Sequence, residues 1–180
     1  MRAGGLSRRY AKALADVAGE GQALEPVGDD LRAIASLLKQ NREAAAFFAN
    51  PAVSLHDKRR VLQSLAERVA TQPLSRRFLD LILEKRRLLH LGEIVLAYEE
   101  LTDERLNRAK ATVISAVPLA EPALEQLKDR LRIATGKEIY VEARVDPNIL
   151  GGMVAQVGST IYDGSLKTQL TRMREQLLKG

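Results

Sequence analysis

The chain has 180 residues, of which 46% are hydrophobic and 28% charged, so it is long enough for one domain or two small ones and is too apolar to be disordered. Cysteine is absent, which excludes disulfides, thiolate metal sites and cysteine nucleophiles, and no run of about 18 apolar residues exists to span a bilayer. The net charge of +5 admits an acidic partner, an anionic surface or a nucleic acid, but acidic residues are interleaved with the basic ones throughout.

Taken in chain order, the first two thirds carry helical periodicity. The arginine-bearing N-terminus lacks the apolar run of a signal peptide. Ser7 is placed to cap a helix with Tyr10, Leu14 and Val17 on its stripe, ended by Gly19 and Gly21. A second helix aligns Leu31, Ile34 and Leu38. A short Ala-rich third, over residues 41–49, stops at Asn50-Pro51. Ser54 and Asp57 resemble a capping box and open a fourth helix, with Val61, Leu62 and Leu65 inward. Thr71 and Pro73 begin a fifth. In that helix Leu74, Phe78, Leu79, Leu81, Ile82 and Leu83 cover more than one stripe, so it is either central or covered on a second side by a partner. A sixth, over residues 89–107, aligns Leu91, Ile94, Val95, Tyr98 and Leu101.

The period changes near Lys110. Residues 111–117 are strand-like and stop at Pro118. Pro122 begins a helix with Leu124, Leu127 and Leu131, closed by Thr135-Gly136. Residues 139–145 alternate as a half-buried strand. Gly151-Gly152 bends into a strand over residues 153–157. Gly158-Ser159 turns it back through residues 160–162, and Ser165 caps a last helix with Leu166, Leu170, Met173 and Leu177. The predicted fold class is α+β: an N-terminal six-helix bundle over residues 1–108, then a small C-terminal α/β domain with an antiparallel hairpin over residues 109–180.

Catalytic chemistry is not signalled. His56 and His90 fall in separate helices with no ligand-type spacing around them, and neither GxGxxG nor GxxxxGK[ST] occurs. Gly151-Gly152 precedes a strand, so its amides do not converge on an anion as at a helix N-terminus. Asp163-Gly164-Ser165 reads as a strand-to-helix turn rather than a metal loop. The basic run Lys85-Arg86-Arg87 suits a helix C-terminus and lacks the aromatic platforms of single-strand binders. No cofactor, metal or catalytic residue is expected. Two other classes stay open: a basic nucleic-acid-binding protein and a small hydrolase or transferase. The first lacks stacking aromatics and the second lacks a convergent polar site.

The segment from Ile139 through Asp146, Gly151-Gly152 and Gly158 to Asp163-Gly164-Ser165 resembles the signature of the ATP synthase delta subunit / oligomycin-sensitivity-conferring protein family. Tyr10-Ala11-Lys12-Ala13-Leu14, Phe48 to Ser54, and Arg87-Leu88 with Ile94, Tyr98 and Glu99-Glu100-Leu101 resemble further stretches of it, in order along nearly the whole chain. Ala155 departs, standing where the family usually has a larger aliphatic residue.

The resemblance implies a non-catalytic peripheral-stalk subunit that links the α/β catalytic head to b-type stalk subunits and resists rotor torque. It implies that the N-terminal helix of an α subunit lies in a groove between the first and fifth helices. Tyr10, Ala13, Leu14, Phe78, Leu81 and Ile82 are the groove candidates, each of them equally a bundle-core position. Gly151, Gly152, Gly158, Asp163, Gly164 and Ser165 are structural signature positions. Lys167, Arg172, Arg174 and Lys179 of the last helix are candidates for contact with acidic stalk positions. Other catalytic-head subunits are further implied partners, without nucleic acid or direct membrane insertion. The implied location is the cytoplasmic face of a bacterial plasma or inner membrane, reached through the complex.

Overall fold

The computed structural model describes residues 4–19, 23–69, 72–147, 149, 151–165, 168, 170 and 173. The chain divides into two compact units, residues 1–106 and residues 107–180. Within the first lie α1 (Gly5–Ala18), α2 (Leu24–Gln40), α3 (Arg42–Ala49), α4 (Leu55–Arg68), α5 (Pro73–Glu84), a 3-10 turn (Leu88–His90) and α6 (Leu91–Arg105). Within the second lie β1 (Arg108–Ser115), α7 (Glu121–Thr135), β2 (Glu138–Val145), β3 (Met153–Val157) and β4 (Thr160–Asp163), so the chain is of mixed α+β class.

Local chemistry sets several helix ends. At α4 the Asp57 N–H donates to Ser54 Oγ at 3.1 Å, and the Ser54 hydroxyl donates to Asp57 Oδ2 at 2.7 Å. At α3 the Asn41 side chain accepts from the N–H groups of Glu43 and Ala44. Pro73 occupies the first turn of α5, where its missing N–H costs nothing. Thr71 and Gly21 lie outside the described residues. Ser7 does not cap α1: the N-cap is Gly4, which puts Ser7 inside the first turn, where its hydroxyl donates to Glu93 Oε2 of α6 at 3.0 Å. The segment expected as one helix over residues 89–107 opens with the 3-10 turn, and α6 proper begins at Leu91.

The C-terminus of α5 closes without glycine. Arg86 takes φ 55°, the Arg86 N–H donates to Leu83 O at 2.9 Å, and the Arg87 N–H donates to Ile82 O at 2.8 Å. This is the paired 5→2 and 6→1 closure of a Schellman motif. It sends the chain back across the helix end and carries Arg87 toward α1.

One aliphatic cluster fills the helical unit. Leu24, Leu31 and Ile34 of α2, Leu79 and Ile82 of α5, and Leu91, Ile94 and Tyr98 of α6 are almost wholly buried. Tyr98 donates its hydroxyl to Leu24 O at 3.0 Å, and burial pushes its pKa up to about 12. A Cβ at Gly28 would stand 3.3 Å from the Tyr98 ring, so the glycine lets α2 and α6 approach.

The second unit is built on a sheet of order β2-β1-β3-β4. β1 and β2 run parallel with α7 as the crossover between them, and β3 and β4 pair antiparallel to β1 and to each other respectively. Alternation alone does not give strand direction, but the order strand, helix, strand does, since a helical crossover makes its two strands parallel. β1 also starts at Arg108 and ends at Ser115, whose hydroxyl donates to Val117 O at 2.7 Å as the chain leaves the sheet. Ala111, Val113, Leu131, Ile139, Ala155 and Val157 form the core of this unit, with Ala155 only 2% exposed.

On the opposite face of the sheet, Glu142 accepts from Lys110 and from Arg144, first the lysine and then the arginine holding its carboxyl at a pKa of about 2. A carboxyl depressed below its unfolded value of 4.5 stabilises the fold fully above that pH and loses the contribution as pH falls through 2. Glu142→Gln is therefore expected to lower the urea midpoint slightly at pH 7 and not at all below pH 2, the difference shrinking in salt because the cluster is solvent-exposed.

Candidate functional site

α5 carries two apolar rows. Ser75, Leu79, Ile82 and Leu83 face the core, all of them buried. Leu74, Phe78 and Leu81 follow a spacing of four and three along the neighbouring face, where Leu81 is 42% exposed and Phe78, only 6% exposed, also packs into the core. α1 shows the same duality. Ala11, Leu14 and Ala15 are buried against the unit, whereas Leu6 and Val17 remain 38% and 70% exposed.

These outer rows face one another across a cavity of about 440 Å³. Leu6, Tyr10, Ala13, Leu14 and Val17 of α1 line one wall, Leu74, Phe78 and Leu81 of α5 the other, and Arg9, Arg77 and Arg87 stand at its margins. The Tyr10 ring meets Phe78 edge-on, with centroids 6.4 Å apart. Arg87 closes one end: its Nη1 donates to the Tyr10 hydroxyl at 2.5 Å, and its guanidinium carbon lies 5.3 Å from the ring centre. Exposed aliphatic side chains gathered on one concave surface mark an interaction site more than a scattering of the same residues would.

The structure brings Tyr10, Ala13, Leu14, Phe78 and Leu81 together around this groove. Ile82 does not join them. It lies on the Ser75–Leu79 row, is 0% exposed, and belongs to the core. Leu6, Val17 and Leu74 were missed as lining residues, although the spacings from Leu6 to Tyr10 and from Leu74 to Phe78 were readable as outer stripes.

The wall formed by α5 is anchored from beneath by Asp30 of α2. Its Oδ2 accepts the Gln72 N–H at 2.5 Å and the fully buried Ser75 hydroxyl at 2.8 Å. A carboxylate at a helix N-terminus satisfies donors the helix leaves open and complements its dipole.

The signature glycines occupy bends. Gly151, Gly152 and Gly158 have φ of 143°, 80° and 58°, the last in the β3–β4 turn. The Gly164 N–H donates to Met153 O at 3.0 Å, and a Cβ there would press on that same oxygen. Asp163 Oδ1 accepts the Ser165 N–H, and Ser165 Oγ accepts the Thr168 N–H, so the turn opens a helix as a cap. Leu170 and Met173 of that helix are 64% and 59% exposed. Leu166, Lys167, Arg172, Arg174, Leu177 and Lys179 lie outside the described residues. Among the described residues no helix is long and apolar enough to cross a membrane, and no group of three or more His, Asp or Glu is placed to hold a metal ion.

Residues 6–177 match the family model for the ATP synthase delta (OSCP) subunit. The chain belongs to that family. It is 39% identical over 177 residues to the ATP synthase subunit delta of Anaeromyxobacter sp. (strain Fw109-5), covering 98% of this chain and 99% of that one. It is 33% identical over 180 residues to the subunit delta of Geobacter sp. (strain M21), covering all of both chains. A chain in the cryo-EM structure of the Toxoplasma gondii mitochondrial ATP synthase hexamer superposes with a TM-score of 0.72 at 27% identity, covering 97% of this chain and 98% of that one. A delta (OSCP) subunit is a structural, non-catalytic component of the peripheral stalk, which agrees with the thin catalytic inventory of the sequence.

Proposed function

We propose that the groove between α1 and α5 receives the N-terminal amphipathic helix of an ATP synthase α subunit. The six helices of residues 1–106 would then be the bundle that caps the catalytic head. The observation that carries this reading is the apolar trough itself, with Leu6, Val17 and Leu81 exposed together on one concave surface between two helices. A helix laid into such a trough buries several anchors at once, which suits an attachment that must outlast repeated torque. The second unit is assigned to the b-type stalk subunits, supported by the exposed Leu170 and Met173 of the helix that Ser165 caps. The protein would thereby hold the head stationary relative to the membrane-anchored stalk, on the cytoplasmic face of a bacterial membrane and without entering the bilayer.

Titration calorimetry of the purified chain with a peptide of the cognate α subunit's N-terminal helix is expected to show saturable one-to-one binding, with a random RNA oligomer giving none. A folded protein that ignores the peptide and binds RNA in a salt-dependent manner would overturn the assignment.

A further inference from the structure

The margins of the groove have a charge pattern that its apolar floor does not require. Of the residues that line it, Arg9, Arg77 and Arg87 are charged and none is acidic. Several other arginines of this unit are paired within it: Arg8 with Glu100, Arg32 with Asp29 and Glu99, Arg59 with Asp80 and Glu84, and Arg105 with Asp16. Among the described residues, Arg9 and Arg77 have no ion-pair partner, and the contacts of Arg87 are to the hydroxyl and ring of Tyr10. Unpaired arginines occur elsewhere on a basic surface. The distinction here is that three converge on one apolar trough and stand on both of its sides, Arg9 on α1 and Arg77 with Arg87 on and beyond α5.

Resting on the groove reading above, we infer that the occupant is an acid-flanked amphipathic helix, carrying Glu or Asp on both sides of its apolar stripe. The wall from Leu6 to Val17 rises about 16 Å at helical pitch, which accommodates roughly three turns of a bound helix. That length supplies apolar anchors spaced three and four residues apart, with a flanking position at each turn on either side. A guanidinium that meets a carboxylate beside a desolvated apolar seam gains more than one in open water, and a lysine-flanked helix is repelled by the same three charges. The apolar stripe sets affinity, while the arginine margins select among amphipathic helices and speed their capture.

Three synthetic helical peptides sharing one apolar stripe and differing only in flanking Glu, Gln or Lys test this against the full chain. The Glu peptide is expected to bind about tenfold more tightly than the Gln peptide at low salt, falling to about twofold at 0.5 M NaCl, with no measurable binding of the Lys peptide. The double variant Arg9→Gln with Arg77→Gln leaves the Tyr10–Arg87 contact in place. It should bring the Glu and Gln peptides to within about twofold of each other. If Glu, Gln and Lys peptides bind equally and Leu81→Asp blocks all of them, the groove reading stands and the charge inference is wrong. If no peptide binds, the cognate α-subunit peptide included, both fall. If vesicles of anionic lipid bind and compete with the Glu peptide, the arginines serve a membrane surface and the inference is overturned.

Discussion

Leu81→Asp is expected to weaken binding of the α-subunit peptide at least thirtyfold while leaving the thermal midpoint within a few degrees of the parent chain. Ile82→Asp, one residue away, is expected to destroy the fold. The two side chains belong to different rows of α5. Leu81 projects into the groove and is 42% exposed, so an aspartate there stays solvated in the free protein and costs the unit little. On binding, that carboxylate would be driven into an apolar seam, losing both an anchor and its hydration. Ile82 has no exposed surface, so the same substitution removes a filled core position and buries a charge. Their combined cost, at least about 4 kcal/mol, is a large share of the 5–15 kcal/mol that holds a typical domain. Circular dichroism melting beside calorimetric titration separates the two effects. A Leu81→Asp variant that binds as the parent chain does would remove α5 from the interface.

Asp30→Ala is expected to destabilise the helical unit by about 2–3 kcal/mol, lowering its midpoint by roughly 10–20 °C. The substitution strands the Gln72 N–H and, more seriously, the Ser75 hydroxyl, which is 0% exposed and has no route to water. Asp30→Asn keeps an accepting oxygen but loses the charge at the helix N-terminus, so its cost should be about half. Because Asp30 holds the start of α5, the alanine variant should also bind the peptide more weakly at temperatures where the unit is still folded. A midpoint shift under about 3 °C would mean that water replaces the carboxylate and that α5 is anchored elsewhere.

The order and approximate ends of the helices described in residues 4–106 were legible wherever periodicity, capping residues and prolines agree. Ser54 and Pro73 each act where the sequence places them, and Asn41, expected inside the third helix, stands just before it as its cap. Ser7 misled because a residue able to cap is also able to donate inward, and only the position of Glu93 on α6 decides which it does. The excess apolar surface of α5 is visible in the sequence, and its helical spacing divides it into two faces. The spacing of Ser75, Leu79 and Ile82 already assigned Ile82 to the core row. Asp30 gave no sequence signal at all. Its partners are more than forty positions away, and a charged residue within α2 reads as solvated until the tertiary fold buries it. The parallel pairing of β1 with β2 was legible in the order strand, helix, strand, since a helical crossover such as α7 returns the chain in the same direction.

Binding of the α-subunit helix between α1 and α5 is read out by backbone amide shifts of the isotopically labelled full chain, recorded while the α-subunit peptide is added. Saturable changes are expected at Leu6, Tyr10, Ala13, Val17, Arg77, Phe78 and Leu81, with residues 107–165 unmoved. Saturable changes confined to other helices, or to the sheet of the second unit, would contradict it.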